Sequence, residues 1–221
     1  MDDLADPIFL VQGFGSSVAV LRPLERRIRR LGRPTFCPAP PLGLGDIRNA
    51  AALVHDAIEQ AAASRPFERA DVIGHSMGGL VASYLLKYLD RGRRISRVVA
   101  LGTPFCGLRF ARFGALLLGP FGCSLRQMTP SSSLLQLLAR LPVPPGCALI
   151  SIAGAKDWLV PMEATRLPAT AGHLHFDAGP LDHWELLLRQ RCFAHVEQAL
   201  RVPCSAAAGV RRRALALRPA A

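Results

Sequence analysis

Apolar and polar positions alternate along this chain in two rhythms. Ile8 to Val11 is a short run of β-forming residues that stops at Gly13-Phe14-Gly15-Ser16-Ser17, and Val20, Leu21, Leu24 and Ile28 then recur at helical spacing as far as Gly32. That pattern predicts strand, glycine loop, helix. Thr35 to Cys37 reads as a second short strand, and the prolines between Pro38 and Gly45 cannot donate to a ladder, which predicts a surface loop. From Ile47 to Ala63 a helix carries Leu53, Val54, Ala57 and Ile58 on one face. Ala70 to Gly74 is strand-like and runs without a spacer through His75-Ser76-Met77-Gly78-Gly79 into an apolar helix marked by Leu80, Val81, Tyr84, Leu85 and Tyr88. Further strands are expected at Ile95 to Leu101, Cys147 to Ala153 and His173 to Phe176, with a closing helix from Trp184 to Leu200. Strands that alternate with helices bury both faces of a parallel sheet. The expected fold is therefore α/β, a three-layer αβα sandwich around a mostly parallel sheet of about six strands.

The stretch from Gly102 to Gly146 breaks this rhythm. It holds Phe105, Phe110, Phe113, Leu116 to Leu118, Phe121 and the run Leu134 to Leu141, and it is long for a connection between strands. It reads as a lid-like insertion, 103–146, with short helices of its own at the carboxyl edge of the sheet, where such folds bind ligands. Packing against the sheet is the alternative use of its apolar residues. One domain over 1–202 is expected, followed by a basic, Ala- and Arg-rich tail over 203–221.

Composition narrows the classes. Hydrophobic residues are 50% of the chain and charged residues 19%, enough apolar surface for a sizeable core and against disorder. The net charge of +11 could draw nucleic acid or an anionic lipid surface. The arginines cluster at Arg26, Arg27, Arg29 and Arg30, at Arg91, Arg93, Arg94 and Arg97, and at Arg211 to Arg213, with little of the interleaved aromatics of a base-stacking surface; they read as solvated helix ends and a basic tail, so nucleic acid is not an expected partner and peripheral contact with anionic membrane stays open. Six cysteines are scattered with no C-x-x-C pair, and neither a metal nor a cofactor is expected. The acidic start, Asp2, Asp3 and Asp6, is unlike a secretory leader, and the apolar stretch Phe113 to Leu125 is too short to cross a bilayer; the expectation is a cytoplasmic protein with reduced thiols.

Gly74-His75-Ser76-Met77-Gly78 fits G-x-S-x-G between a strand and a helix. Glycines two residues to either side let a serine sit on a strained strand-to-helix turn, where the helix N-terminus favours developing negative charge. A serine that merely caps the helix is the competing reading. A nucleophilic serine needs a histidine base, and that base needs an acid to hold its tautomer. His55 and His195 fall within helices, His173 and His175 within the last strand, and His75 within the elbow, so His183, in a loop between strand and helix, is the expected base. Asp157, after a strand through Gly154-Ala155-Lys156, is the expected acid, with Asp182, Asp177 and Glu163 as rivals. Two backbone donors for an oxyanion are expected at Met77, next to the nucleophile, and at Phe14 in the first glycine loop.

Together these residues resemble the bacterial lipase and esterase branch of the α/β-hydrolases. The matches are Gly13-Phe14, Gly74 to Gly79, Gly102-Thr103-Pro104, Asp157 to Pro161 and Asp182-His183, ordered along almost the whole chain before the tail. Gln12 departs from the histidine usual there, and the first strand stands close to the start, as in a compact form of the fold. The resemblance implies hydrolysis of a small-molecule or lipid carboxylic ester through an acyl-enzyme on Ser76. Acyl transfer or thioester cleavage by the same residues is the nearest alternative, and a non-catalytic binding module on this fold is a further one.

Overall fold

The computed structural model describes residues 6–40, 43, 45–119, 122–130, 132–166 and 174–204. Six strands, β1 (Ile8–Val11), β2 (Thr35–Phe36), β3 (Ala70–His75), β4 (Ile95–Leu101), β5 (Ala148–Ala153) and β6 (Leu174–Asp177), form one sheet in the order β2-β1-β3-β4-β5-β6, with every neighbouring pair parallel. Side chains alternate across a strand, so β1 sends Ile8 and Leu10 to one face and Phe9 and Val11 to the other.

On the Ile8 face lie α1 (Arg22–Arg29), α7 (Glu185–Leu188) and α8 (Gln190–Leu200), contributing Leu24, Ile28, Leu186, Leu187, Phe193 and Val196. On the Phe9 face lie α2 (Ile47–Ser64), α3 (Met77–Tyr84) and α6 (Ser133–Arg140), contributing Val54, Ile58, Leu80, Val81, Leu134 and Leu138. Both faces are covered, so the central strands can be apolar throughout, and every residue of β3 and β5 is buried.

Chain order reverses at β1, whose neighbours are β2 on one side and β3 on the other. In an open parallel sheet the loops leaving two strands at such a point diverge to opposite faces and open a crevice at the carboxyl edge. Here those loops begin at Gln12 and at Ser76.

The stretch after β4 contains α4 (Ala111–Leu118), α5 (Cys123–Gln127) and α6. Its two halves behave differently. Leu134, Leu135 and Leu138 are buried in the core, whereas Phe113, Leu116 and Leu117 on α4 are 73%, 80% and 86% exposed. The inner part is anchored at the start of α2, where Ile47 N–H donates to Gln127 Oε1 at 2.8 Å and Gln127 Nε2 donates to Asp46 Oδ1 at 2.7 Å. Phe121 and the tail residues 205–221 fall outside the described residues, as does His173, expected at the start of β6.

Two expectations need correction. The closing helix is not continuous: Arg189 is extended (φ −83°, ψ 137°) and separates α7 from α8. The break lets α7 turn Leu186 toward the carboxyl edge while α8 lies along the sheet, two directions one straight helix cannot serve. Nor are the basic clusters solvated throughout: Arg97, from one of them, joins Arg33 in holding the buried carboxylate of Asp71, at 2.7 and 2.6 Å. Among the described residues, no helix is long and apolar enough to cross a membrane.

Candidate active site

Ser76 follows β3 at φ 54°, ψ −124°, a positive φ that is rare outside glycine, and its side chain makes no capping bond to α3. What holds so strained a turn is packing too close for any other side chains. A Cβ on Gly74 would run into the carbonyl of Gly78, one on Gly78 into the carbonyls of Val11 and Gln12, and one on Gly79 into the Thr103 side chain. Hydrogen bonds complete the clamp: Ser76 N–H donates to Leu101 O at 2.8 Å, and the buried Thr103 hydroxyl donates to Ser76 O at 3.0 Å. The turn is thus fixed by β1 and β4, its neighbours in the sheet.

His183 stands in the loop between β6 and α7, and Asp157 in the loop after β5. Both are buried, and His183 Nδ1 lies 2.7 Å from Asp157 Oδ2. The other carboxylate oxygen, Oδ1, accepts Val160 N–H at 2.7 Å, so both oxygens are engaged and the carboxyl plane is set. A carboxylate only accepts, so Nδ1 carries the proton and Nε2 is the basic nitrogen of the neutral ring. Gly102 makes room for the pair. It adopts φ 54°, and a Cβ there would sit 3.1 Å from Asp157 Oδ2 and 3.2 Å from His183 Nδ1.

The other candidates lie elsewhere. Asp182 and Glu185 form a reciprocal cap at the start of α7, with Glu185 N–H on Asp182 Oδ1 at 2.8 Å and Asp182 N–H on Glu185 Oε2 at 3.1 Å. Asp177 accepts Gly179 N–H, and Glu163 lies on the 3₁₀ turn Met162–Thr165. His55 and His195 are helical, and His175 is in β6. His75 is the exception to what spacing alone suggested: although it precedes Ser76, its ring reaches His183, with centroids 4.5 Å apart. Burial, and then the neighbouring His183, push its pKa down to about 3.

Gly13 to Ser16 form a turn beside the elbow, and a Cβ on Gly13 would come within 2.9 Å of Ser76 Cβ. Gln12 is buried, and its amide donates to Pro40 O at 3.3 Å. Among the described residues, the Phe14 and Met77 amides take no backbone partner outside helices and strands. Ser76, His183, His75, Gly13 and Phe14 line one end of a cavity of about 170 Å³, walled by Leu108, Phe110, Ala111, Leu125, Met128, Leu159 and Val160. Its chemistry is a polar corner on an apolar slot. Spacing along the chain does not mark Gly102 and Thr103 as parts of the site; the G-T-P tripeptide enters it because it follows β4, which runs beside β3 and the elbow.

The family model of the PGAP1-like alpha/beta domain matches residues 45–111, the segment from the start of α2 through the elbow to the start of α4. No curated protein matches the chain in sequence. Solved structures do match in shape. The mature lipase BlEst2 of Bacillus licheniformis is similar with a TM-score of 0.74 at 17% identity, over 90% of this chain and 93% of that one. The product of gene lin2722 of Listeria innocua gives 0.70 at 16% identity, over 89% and 94%. A monoacylglycerol lipase of Paleococcus ferrophilus gives 0.67 at 16% identity, over 88% and 95%.

Proposed function

We propose that this chain, which has the α/β-hydrolase fold, is a serine hydrolase of carboxylic esters. The observation that carries the reading is that His183, paired with Asp157 at 2.7 Å, lines the same cavity as a serine held at φ 54° with its hydroxyl uncommitted to helix capping. Ser76 Oγ attacks the ester carbonyl and gives its proton to His183 Nε2, while Asp157 stabilises the imidazolium. The carbonyl oxygen becomes an oxyanion held by the amides of Met77 and Phe14, with the N-terminus of α3 adding its dipole. As the tetrahedral intermediate collapses, the bond to the leaving alcohol breaks and His183 protonates that oxygen. Water then attacks the acyl-enzyme and loses a proton to His183; as the bond from the acyl carbon to Ser76 Oγ breaks, His183 returns that proton to Oγ, and the acid and the neutral serine and histidine are released.

The cavity bears on the acyl group. It is apolar apart from the reactive corner, and a slot of this size lined by aliphatic and aromatic side chains takes a molecule about the size of benzene. It therefore encloses about six carbons, and longer chains continue outward over α4. The exposed apolar residues Phe110, Phe113, Leu116 and Leu117, with Trp158 and Trp184 also exposed and Arg109 and Arg112 beside them, favour substrate delivered from an anionic lipid surface. Turnover of a medium-chain ester in phosphatidylglycerol vesicles should fall severalfold in Phe113→Ser/Leu117→Ser while turnover of the dissolved ester stays constant; equal rates on both would remove the surface from the reading.

The test of the central claim is a fluorophosphonate probe on the folded protein. Stoichiometric labelling of Ser76, lost in Ser76→Ala together with nitrophenyl ester hydrolysis, is expected. Labelling elsewhere, or hydrolysis undiminished in Ser76→Ala, would defeat it.

A further inference from the structure

His75 is the residue of this site that the reaction itself does not use. It is 1% exposed, precedes the serine, and its Nε2 lies 2.9 Å from the backbone carbonyl of His183. A carbonyl oxygen only accepts, so Nε2 carries the ring proton and donates it. Nδ1 is then the bare nitrogen; it is buried, has no partner among the described residues, and lies close to Gly13. Such an arrangement is costly for a ring that merely fills space, because one buried acceptor goes unpaired. The compensating bond goes to the residue at 183.

That destination matters because His183 is held by loop backbone rather than by a strand ladder. Lys156 N–H reaches Leu181 O at 3.1 Å, and the Asp182–Glu185 cap sets the start of α7. The first of these contacts ties the loop to the segment after β5, and the cap is local to the loop and α7. The elbow, by contrast, is fixed by β1 and β4. Only through some link between the two sets is the distance from hydroxyl to imidazole determined, and His75 supplies one from the position next to the nucleophile.

We propose that His75 is a positioning residue: by donating Nε2–H to the carbonyl of His183 it ties the loop of the base to the elbow of the nucleophile and sets their separation. Burial keeps its ring neutral throughout the working range, so it presents no charge to oppose the imidazolium that forms 4.5 Å away between ring centroids. The inference rests on the serine-hydrolase reading above and concerns how that site is held rather than what it does.

Three variants test it. The amide of His75→Gln places a donor near Nε2; the amide of His75→Asn ends near Nδ1 and cannot reach; His75→Phe keeps a ring and has no donor. A displacement of about 1 Å between reacting groups costs on the order of 100-fold. The Asn and Phe variants should therefore lose about 10- to 100-fold in kcat, and equally in the rate of fluorophosphonate labelling, with KM within about twofold. His75→Gln should recover at least about a third of the wild-type kcat. A loss of packing alone would lower Tm in all three and would not be reversed by Gln. Wild-type kcat in a folded Asn or Phe variant would overturn the proposal, as would a folded Gln variant as slow as Phe. Ser76→Ala, run alongside, separates the two levels: activity persisting there refutes the hydrolase reading itself, whereas an inactive Ser76→Ala beside an unaffected His75→Phe refutes only the tie.

Discussion

Asp157→Asn is the sharpest perturbation of the site, because the structure dictates how the new amide will sit. Asp157 Oδ1 accepts Val160 N–H at 2.7 Å, and Oδ2 faces His183 Nδ1 at 2.7 Å. An asparagine has one oxygen to offer. If it stays with Val160, the amide NH₂ points at Nδ1, which must then surrender its proton and accept; Nε2 becomes protonated and is no longer a base. The opposite orientation keeps the right tautomer but sets NH₂ against the buried Val160 N–H, leaving that donor unpaired at a cost of about 1–3 kcal/mol. That cost leaves the productive orientation at roughly 1 in 5 to 1 in 150, so the loss in kcat/KM is at least about fivefold. The full tautomer effect in a serine-protease triad is about 10⁴, or roughly 5 kcal/mol of barrier, and marks the upper end. Initial rates on a nitrophenyl ester, with Tm to verify folding, give the number. A folded Asp157→Asn within about twofold of wild type would refute both the orientation argument and the role assigned to Asp157.

Other outcomes follow from the same geometry. Gly102→Ala should lower kcat at least about tenfold with little change in KM, since its Cβ would press on both Asp157 and His183, and the positive φ adds about 1–2 kcal/mol of strain; unchanged kcat would contradict the tight packing. Phe14→Pro removes a backbone donor and should cost about 10²- to 10³-fold in kcat, whereas Phe14→Ala keeps the amide and should cost far less; equal losses in the two would place the oxyanion elsewhere. Lys87 is buried with Nζ on Leu138 O at 2.8 Å, and burial pushes its pKa down to about 8. Between about pH 8 and its ordinary value of 10.5 the unfolded chain binds the extra proton, so this amine makes stability rise with pH, by about 2 kcal/mol from pH 7 to 9.5. The thiols of half-buried Cys37 and buried Cys192, pushed up to about 11 and about 12, act oppositely. The difference between wild type and Lys87→Met in urea unfolding therefore isolates the amine, and a difference that does not change with pH would show that it is not desolvated.

The order of elements was legible because it depends on local signals. Period-two apolar runs, helical spacing from Ile47 onward, and glycines abutting a strand act within a few residues of one another, and short-range sterics turn them into backbone conformation. For that reason the six strands, the helices between them and the turn at Ser76 could all be read from the chain. The break at Arg189 could not, since Trp184 to Leu200 keeps acceptable helical spacing and the interruption serves two separate packing directions. Nor does local sequence mark Lys87 as buried; its amine is enclosed in the fold and donates to Leu138 O on α6.

For the site, residue type and order could nominate a serine, a histidine and several carboxylates, but spacing could only rank the acids. Which one meets His183 depends on β5 lying between β4 and β6, a matter of strand order and hence of contacts dozens of residues apart. The same holds for Gly102 and Thr103, which touch the site only because β4 runs beside β3, and for His75, whose ring leaves the elbow to reach a carbonyl 108 positions away. Local chemistry determined what each segment becomes. Tertiary structure decided which side chains meet, because hydrogen bonds between distant segments form only after hydrophobic burial has stacked the layers.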